Sequence, residues 1–286
     1  MSCVRSRWAM LALALQRLLF PGAIYAHPPS GIVVDARGHV YFLFHGLVRI
    51  ESSGKITTIQ EGSGGHWLTI DAGDRFSRVA PVSYNRIALN GSTFVFGDGA
   101  PLVIGFDGEL YYASNGSQAE SFPTGAMTVV RFSPSGQRVV FSPVLKQELA
   151  DLKDGITGLA TGSDGSIYVA TWNGILKLDC DSDPADHNPA NASSPLLRGL
   201  GVDSIGNVYV AATSCHRVLK IAPNGHVESI LKSERPWPPT GIAVSESYLY
   251  VLEYTNANGP RTEGWFPRVR QRMRDGEWKT LVAISP

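Results

Sequence analysis

The chain has 286 residues with 25 basic and 25 acidic side chains, so its formal charge is zero, and 43% of it is hydrophobic against 17% charged. Such a chain is long enough to bury a sizeable core, and it lacks the basic excess that usually marks a nucleic-acid binder, so no nucleic-acid partner is expected. Its 30 glycines and 18 prolines are dispersed rather than clustered, which points to many short strands joined by turns.

The first segment in chain order stands apart from the fold. Arg5 and Arg7 precede an apolar stretch from Trp8 to Leu15, and small residues follow at Ala23 and Ala26, so residues 1–26 read as a signal peptide. Gln16 and Arg17 interrupt the stretch, which is too short and too polar to span a bilayer. A mature domain of residues 27–286, secreted or periplasmic and with no transmembrane segment, is the expectation. Cys3 leaves with the signal. Cys180 and Cys215 are too few for a disulfide framework and are not spaced as zinc ligands.

From residue 27 onward one phrase recurs: a turn residue, any residue, an apolar residue, then an aromatic. It reads GHVYF at Gly38, GELYY at Gly108, GSIYV at Gly165, GNVYV at Gly206 and SYLYV at Ser247, with a degenerate copy, DRFS, at Asp74. A short apolar strand precedes each copy: GIVVD, HWLTID, PLVIGFD, GITGLAT, GLGVD and TGIAVS. Third strands follow as LVRIES, TVVRFS, ILKLD and RVLKIA, and fourth strands as SSGKITTI, PSGQRVVF, PNGHVESI and RDGEWKTL. The long step between Gly108 and Gly165 contains VLKQELADLKD, Val144 to Asp154, whose apolar spacing suits a short helical insertion. Four short strands per unit at about 40 residues is the signature of a propeller blade. A lone four-stranded sheet exposes two apolar faces, and a ring of such sheets covers both. The expected fold is all-β, a six-bladed β-propeller of four-stranded antiparallel blades.

GNVYVAATSCHRVLKIAPNG, Gly206 to Gly225, resembles the NHL-repeat consensus, and the unit count is similar to that of the six-bladed TolB-like superfamily. The resemblance extends over nearly all of residues 27–286 and is weakest in the second unit. It implies, as an alternative to a binding module, a metal-dependent lactonase-like hydrolase or a lyase. Gluconolactonase-type relatives hold a divalent metal in the central channel with a Glu and Asp or Asn residues from separate blades. Here the first innermost strand opens as PPSGIVVD, without that Glu. Streptogramin-lyase-type relatives would need a His base near a metal, for which His216 and Glu253 are a possible pair. No nucleophile elbow, phosphate loop or HExxH occurs.

In an antiparallel blade the second-to-third turn and the link to the next blade lie at the same end. That end collects the ligand-binding candidates. Blade entries supply His66, Trp67, Asp154, Arg198 and Trp237, and second-to-third turns supply His45, Trp172, Asn173, His216, Glu253 and Tyr254. Histidines, acids, an arginine and aromatics there would suit a polar ligand stacked on aromatic faces, although the same side chains would also serve to pack and cap loops. DCDSDPAD, Asp179 to Asp186, sets Asp179, Asp181, Asp183 and Asp186 in a turn that could wrap calcium, but Pro184 replaces the glycine such loops use for their bend. A solvated acidic loop is the plainer reading, and no cofactor is firmly implied.

The run PRVRQRMRDG places Arg268, Arg270, Arg272 and Arg274 on one face of a strand, read as the charged outer edge that prevents edge-to-edge pairing. Cys180, after a third strand, and Cys215, in a second-to-third turn, fall at opposite ends of neighbouring blades and are expected to stay unpaired. The function expected is that of a monomeric binding or interaction module outside the cytoplasm. It would engage a small molecule or a partner protein at one face of the ring.

Overall fold

Each intact copy of the aromatic phrase forms the second strand of a four-stranded sheet. A computed structural model describes residues 28–62, 65–72, 84–97, 100–105, 108–114, 128–132, 138–141, 156–162, 166–171, 174–178, 188–189, 196–256 and 264–284. The first sheet contains β1 (Ile32–Val34), β2 (Val40–Leu43), β3 (Gly46–Ile50) and β4 (Ile56–Glu61), paired antiparallel in that order. The second contains β5 (Trp67–Asp71), β6 (Asn85–Leu89) and β7 (Ser92–Gly97). The third runs β8 (Leu102–Ile104), β9 (Leu110–Ser114), β10 (Thr128–Phe132), β11 (Arg138–Phe141), and the fourth β12 (Ile156–Thr161), β13 (Ile167–Thr171), β14 (Gly174–Leu178), β15 (Asn188–Pro189). The fifth is β16 (Leu197–Val202), β17 (Val208–Ala212), β18 (Arg217–Ile221), β19 (Val227–Lys232). The sixth is β20 (Pro239–Val244), β21 (Leu249–Asn256), β22 (Trp265–Arg272), β23 (Trp278–Ala283). The molecule is all-β in a propeller arrangement, with no helix among the described residues.

The expectation of uniform four-stranded blades holds for five sheets and is corrected in the second, which has three strands among the described residues in the order β5-β7-β6. The place next to β5 is taken by β7, not by the DRFS segment, which lies outside the described residues, as does the 144–154 insertion. Composition explains the exchange. STFVFG is buried almost throughout and takes the middle position, whereas NRIAL, with Asn85 and Arg86 exposed, takes the outside.

Burial falls from the innermost strand outward. All six residues of β16 are buried, and all but the last of β20, while β4, β19 and β23 are mostly exposed or half-buried. The innermost strands pack on one another in the succession β1, β5, β8, β12, β16, β20 and back to β1. Their approach is backbone to backbone. A Cβ on Gly199 would lie 2.5 Å from the Cα of Gly241, and one on Gly241 would lie 2.4 Å from the Ser30 carbonyl oxygen.

The recurring phrase also has a local cause. Asp35 ends β1, and its carboxylate accepts the N–H groups of Arg37 and His39, the His39 ring nitrogen and the Tyr41 hydroxyl. Asp203 repeats this after β16 with the N–H groups of Ile205 and Asn207, the Asn207 amide and the Tyr209 hydroxyl. The phrase is therefore a hairpin tie: the Asp fixes the turn, and the aromatic returns to bond it. Burial raises the Asp35 pKa, but these hydrogen bonds outweigh it and hold the carboxyl below its ordinary value.

The arginine run corrects a second expectation. It lies on β22, which pairs with β21 on one side and β23 on the other, so it is not an edge. Cys215 sits exposed and free in the β17–β18 turn, as placed from the sequence; Cys180 lies outside the described residues.

Candidate functional site

Second-to-third turns and inter-sheet links meet at one end of the sheets, where backbone hydrogen bonds join them. Gly62 N–H donates to the His45 carbonyl at 3.1 Å, Ser233 N–H to that of His216 at 2.8 Å, and Tyr254 N–H to that of Pro238 at 3.2 Å. Each described candidate lies at or near this end. What differs is where the side chains go.

His45 and His216 occupy equivalent turns with φ of 50° and 53°. Each carbonyl is clamped by the first residue beyond the fourth strand. Histidine tolerates the left-handed region better than most residues, so a conformational demand alone accounts for both positions. His45 is exposed. His216 is half-buried, and its Nδ1 is buried without a partner. Burial, then the charge of Arg235, lowers the His216 pKa, so the ring is neutral at neutral pH.

Three candidates belong to packing. Trp67 leans on the cluster of Tyr84, Val95, Leu102 and Leu110 between the second and third sheets. Tyr254 is fully buried, and its hydroxyl donates to the Leu43 carbonyl of the first sheet, a latch between the chain's last and first sheets rather than a ligand contact. Burial raises its pKa strongly. Arg198, on the innermost strand β16, is buried, and desolvation brings its pKa down to about 10. His66 is half-buried at the entry to β5, where its carbonyl accepts the Ser30 N–H at 2.9 Å.

Glu253 and Trp237 come together around a residue that sequence reasoning had placed on an outer edge. Glu253 lies within β21 rather than in a turn and is 0% exposed. It faces the fifth sheet, accepting Ser233 Oγ at 2.5 Å and Arg268 Nε at 2.6 Å. Arg268 Nη1 donates to Glu234 Oε1 at 2.5 Å, and its guanidinium lies 4.7 Å from the centre of the Trp237 ring. The link from Ser233 to Pro238 thus supplies a hydroxyl, a carboxylate and an indole to one buried arginine. Burial works against the Arg268 charge, but its bonds to Glu253 and then to Glu234 outweigh that and raise its pKa. The same bond holds the Glu234 carboxyl below its ordinary value. Arg270 continues the row over the Trp278 ring at 5.5 Å. Ser233, Glu234 and Arg268 were missed, although Glu253 and Arg268 are cross-strand partners in register, a pairing of opposite charges visible once both strands are aligned.

Asp154, Trp172, Asn173 and the acidic turn of Asp179, Asp181, Asp183 and Asp186 lie outside the described residues. Among the described residues no three of His, Cys, Asp or Glu converge as metal ligands. Glu253, the one candidate acid among them, is bonded to Arg268 and Ser233, so the described residues do not fit a channel metal. The His216–Glu253 pair considered for a lyase does not form a site, because Glu253 makes its bonds to Ser233 and Arg268 instead.

No family model and no curated protein sequence matches the chain. Solved propeller structures do. Virginiamycin B lyase from Staphylococcus aureus is 14% identical, with 91% of this chain and 86% of that chain covered and a TM-score of 0.54. The PQQ-bound form of aldose sugar dehydrogenase from Streptomyces coelicolor is 13% identical, with 85% and 93% covered and a TM-score of 0.58. A structural-genomics protein assigned as a gluconolactonase is 15% identical, with 86% and 89% covered and a TM-score of 0.55. At these identities the shared feature is the fold.

Proposed function

We propose that this chain holds a small polar molecule at the end of the ring where the fifth and sixth sheets meet. One observation carries the reading: a buried Arg268–Glu253 pair reaches the surface through an exposed carboxylate, Glu234, and a half-buried indole, Trp237. Buried charge with convergent hydrogen-bonding and aromatic groups at a ring mouth is what recognition of a polar ligand needs. The test is a ligand-observed NMR screen of polar metabolites against the mature chain, repeated with Trp237→Ala. Binders that are lost in the variant are expected; a screen without any would overturn the reading.

A second reading is favoured by the structural likenesses, which include a lyase and a protein assigned as a lactonase over most of the chain. On it the chain is a lactonase-like hydrolase or a lyase acting at the central channel. Asp154 and Asn173 are the residues that could serve a divalent metal, and calcium is the ion we would try first. Turnover of a lactone panel and of a streptogramin, suppressed by chelator and restored by metal, is the expected result. Absence of turnover with metal present would remove this reading.

The setting belongs to the same proposal. The three-stranded second sheet is an incomplete blade of a six-bladed, NHL-type, TolB-like ring, supported by the return of the innermost-strand contacts to β1. Residues 1–26 are a signal, residues 27–286 the mature domain, and the product a secreted or periplasmic monomer that does not bind nucleic acid. No described helix is long and apolar enough to cross a membrane. Intact mass from the native host beginning at His27 is the expected readout, and retention of Met1 would remove export.

A further inference from the structure

We propose that Arg268 anchors a carboxylate-binding subsite that Glu234 occupies in the unliganded chain, so that the small molecule held at this face is an organic acid. This rests on the reading of the face given above and specifies its ligand.

The guanidinium has two hydrogen-bonding edges. Its Nε edge is committed to Glu253, which is 0% exposed and fixed by Ser233. Its outer edge is only half used: Nη1 reaches Glu234, while Nη2 is buried and has no partner among the described residues. Arginine recognises carboxylates best with two parallel N–H···O bonds, and one bond with an idle neighbour is an incomplete version of that pairing. The two acids on this arginine differ sharply. The Glu253 side chain is 0% exposed and that of Glu234 69% exposed, on a link rather than in a strand. Glu253 is structural; Glu234 can swing into water with its charge solvated.

Trp237 completes the subsite. Its ring stacks with the guanidinium, and it comes from the same link as Glu234. Displacing the Glu234 carboxylate frees Nη1 without disturbing Glu253, and the small shift of the link that accompanies it uncovers Nη2. An incoming carboxylate can then bond both nitrogens, and a flat ligand body can join the Arg268–Trp237 stack. The binding is an exchange of one carboxylate for another, with no change in the charge of the site.

The probe is benzoate, with benzamide as its uncharged isostere, titrated by NMR against the full mature chain as wild type, Glu234→Gln and Arg268→Lys. Glu234 is exposed, so Glu234→Gln folds normally and removes only the internal competitor. Benzoate should bind the wild type better than benzamide does. Glu234→Gln should tighten benzoate several-fold and leave benzamide unchanged. Arg268→Lys keeps a charge beside Glu253 but loses the fork, and should abolish the preference for benzoate. Equal benzoate affinity in wild type and Glu234→Gln, or equal binding of benzoate and benzamide, would overturn the assignment. If Arg268→Lys does not fold, the Glu234→Gln comparison decides alone. A neutral ligand that is lost in Trp237→Ala, with no gain for benzoate in Glu234→Gln, would overturn the organic-acid assignment and leave the reading of the face intact. No ligand of any charge lost in Trp237→Ala would overturn both.

Discussion

Neighbouring residues of β21 look in opposite directions and meet opposite chemistry. Tyr254 turns toward the first sheet, into a cluster with Ile32, Phe42, Leu252 and Val269, and spends its one polar group on the Leu43 carbonyl. Glu253 turns toward the fifth sheet and meets Ser233 and Arg268. One strand thus serves a dry seam on one face and an ionic one on the other. The dry seam joins the two ends of the chain, where apolar burial gives strength without needing paired charges. The ionic seam joins consecutive sheets already tethered by a short link, and its fixed charges are costly to leave unmatched. A seam between tethered neighbours can carry a binding group at less risk to closure.

The largest effect should come from breaking the ionic seam. Arg268→Ala leaves Glu253 buried with Ser233 alone, and removal of one partner from a buried pair costs about 3–5 kcal/mol. Urea unfolding should show that loss; one below about 1 kcal/mol would mean that water reaches Glu253. Next come the innermost contacts of the two seams. Gly199→Ala drives a methyl into Gly241, and Gly241→Ala drives one into the Ser30 carbonyl. Backbone cannot rotate away as a side chain can, so each should cost about 1–3 kcal/mol by the same measurement. Unchanged midpoints would mean that the inner strands are not in direct contact. Tyr254→Phe keeps the ring in the dry seam and removes one hydroxyl, for an expected loss of about 0.5–1.5 kcal/mol. A much larger value would show that the latch, not the apolar cluster, closes that seam.

The sequence made the strands legible because alternation, turn glycines and the aromatic phrase are local signals that the Asp35 and Asp203 ties turn into hairpins. The second sheet was misread because the choice between STFVFG and DRFS for the middle place is made by neighbouring sheets, not within the segment. The end of the ring bearing the candidates was legible for the same reason as the strands. The direction of each side chain was not. His45 and His216 read as ligands yet meet a backbone requirement at positive φ. Arg268 read as edge protection because a run of alternate arginines looks the same on a third strand as on a fourth. Only the link from Ser233 to Pro238, packed from the adjoining sheet, reveals the partners.

The smallest effect tests whether burial or geometry decides the worth of an ion pair here. Glu234 and Glu253 bond the same guanidinium at 2.5 and 2.6 Å, so a count of salt bridges would rate them alike. Their surroundings differ: water screens the exposed Glu234, and its free side chain loses rotamer freedom when held, whereas Glu253 is already fixed in the seam. Glu234→Gln should therefore unfold with wild type at neutral pH, in contrast to Arg268→Ala. The direction with pH follows from its lowered pKa. The unfolded chain binds the proton more readily than the folded one, so whatever the pair contributes is present above the ordinary glutamate value of about 4.3 and is lost as pH falls through the lower folded value. The two proteins should converge in acid, and any difference above that range should fade in high salt. A deficit for Glu234→Gln as large as that of Arg268→Ala, and persisting in salt, would mean that the exposed link seals the ionic seam and that burial of Glu253 is its consequence.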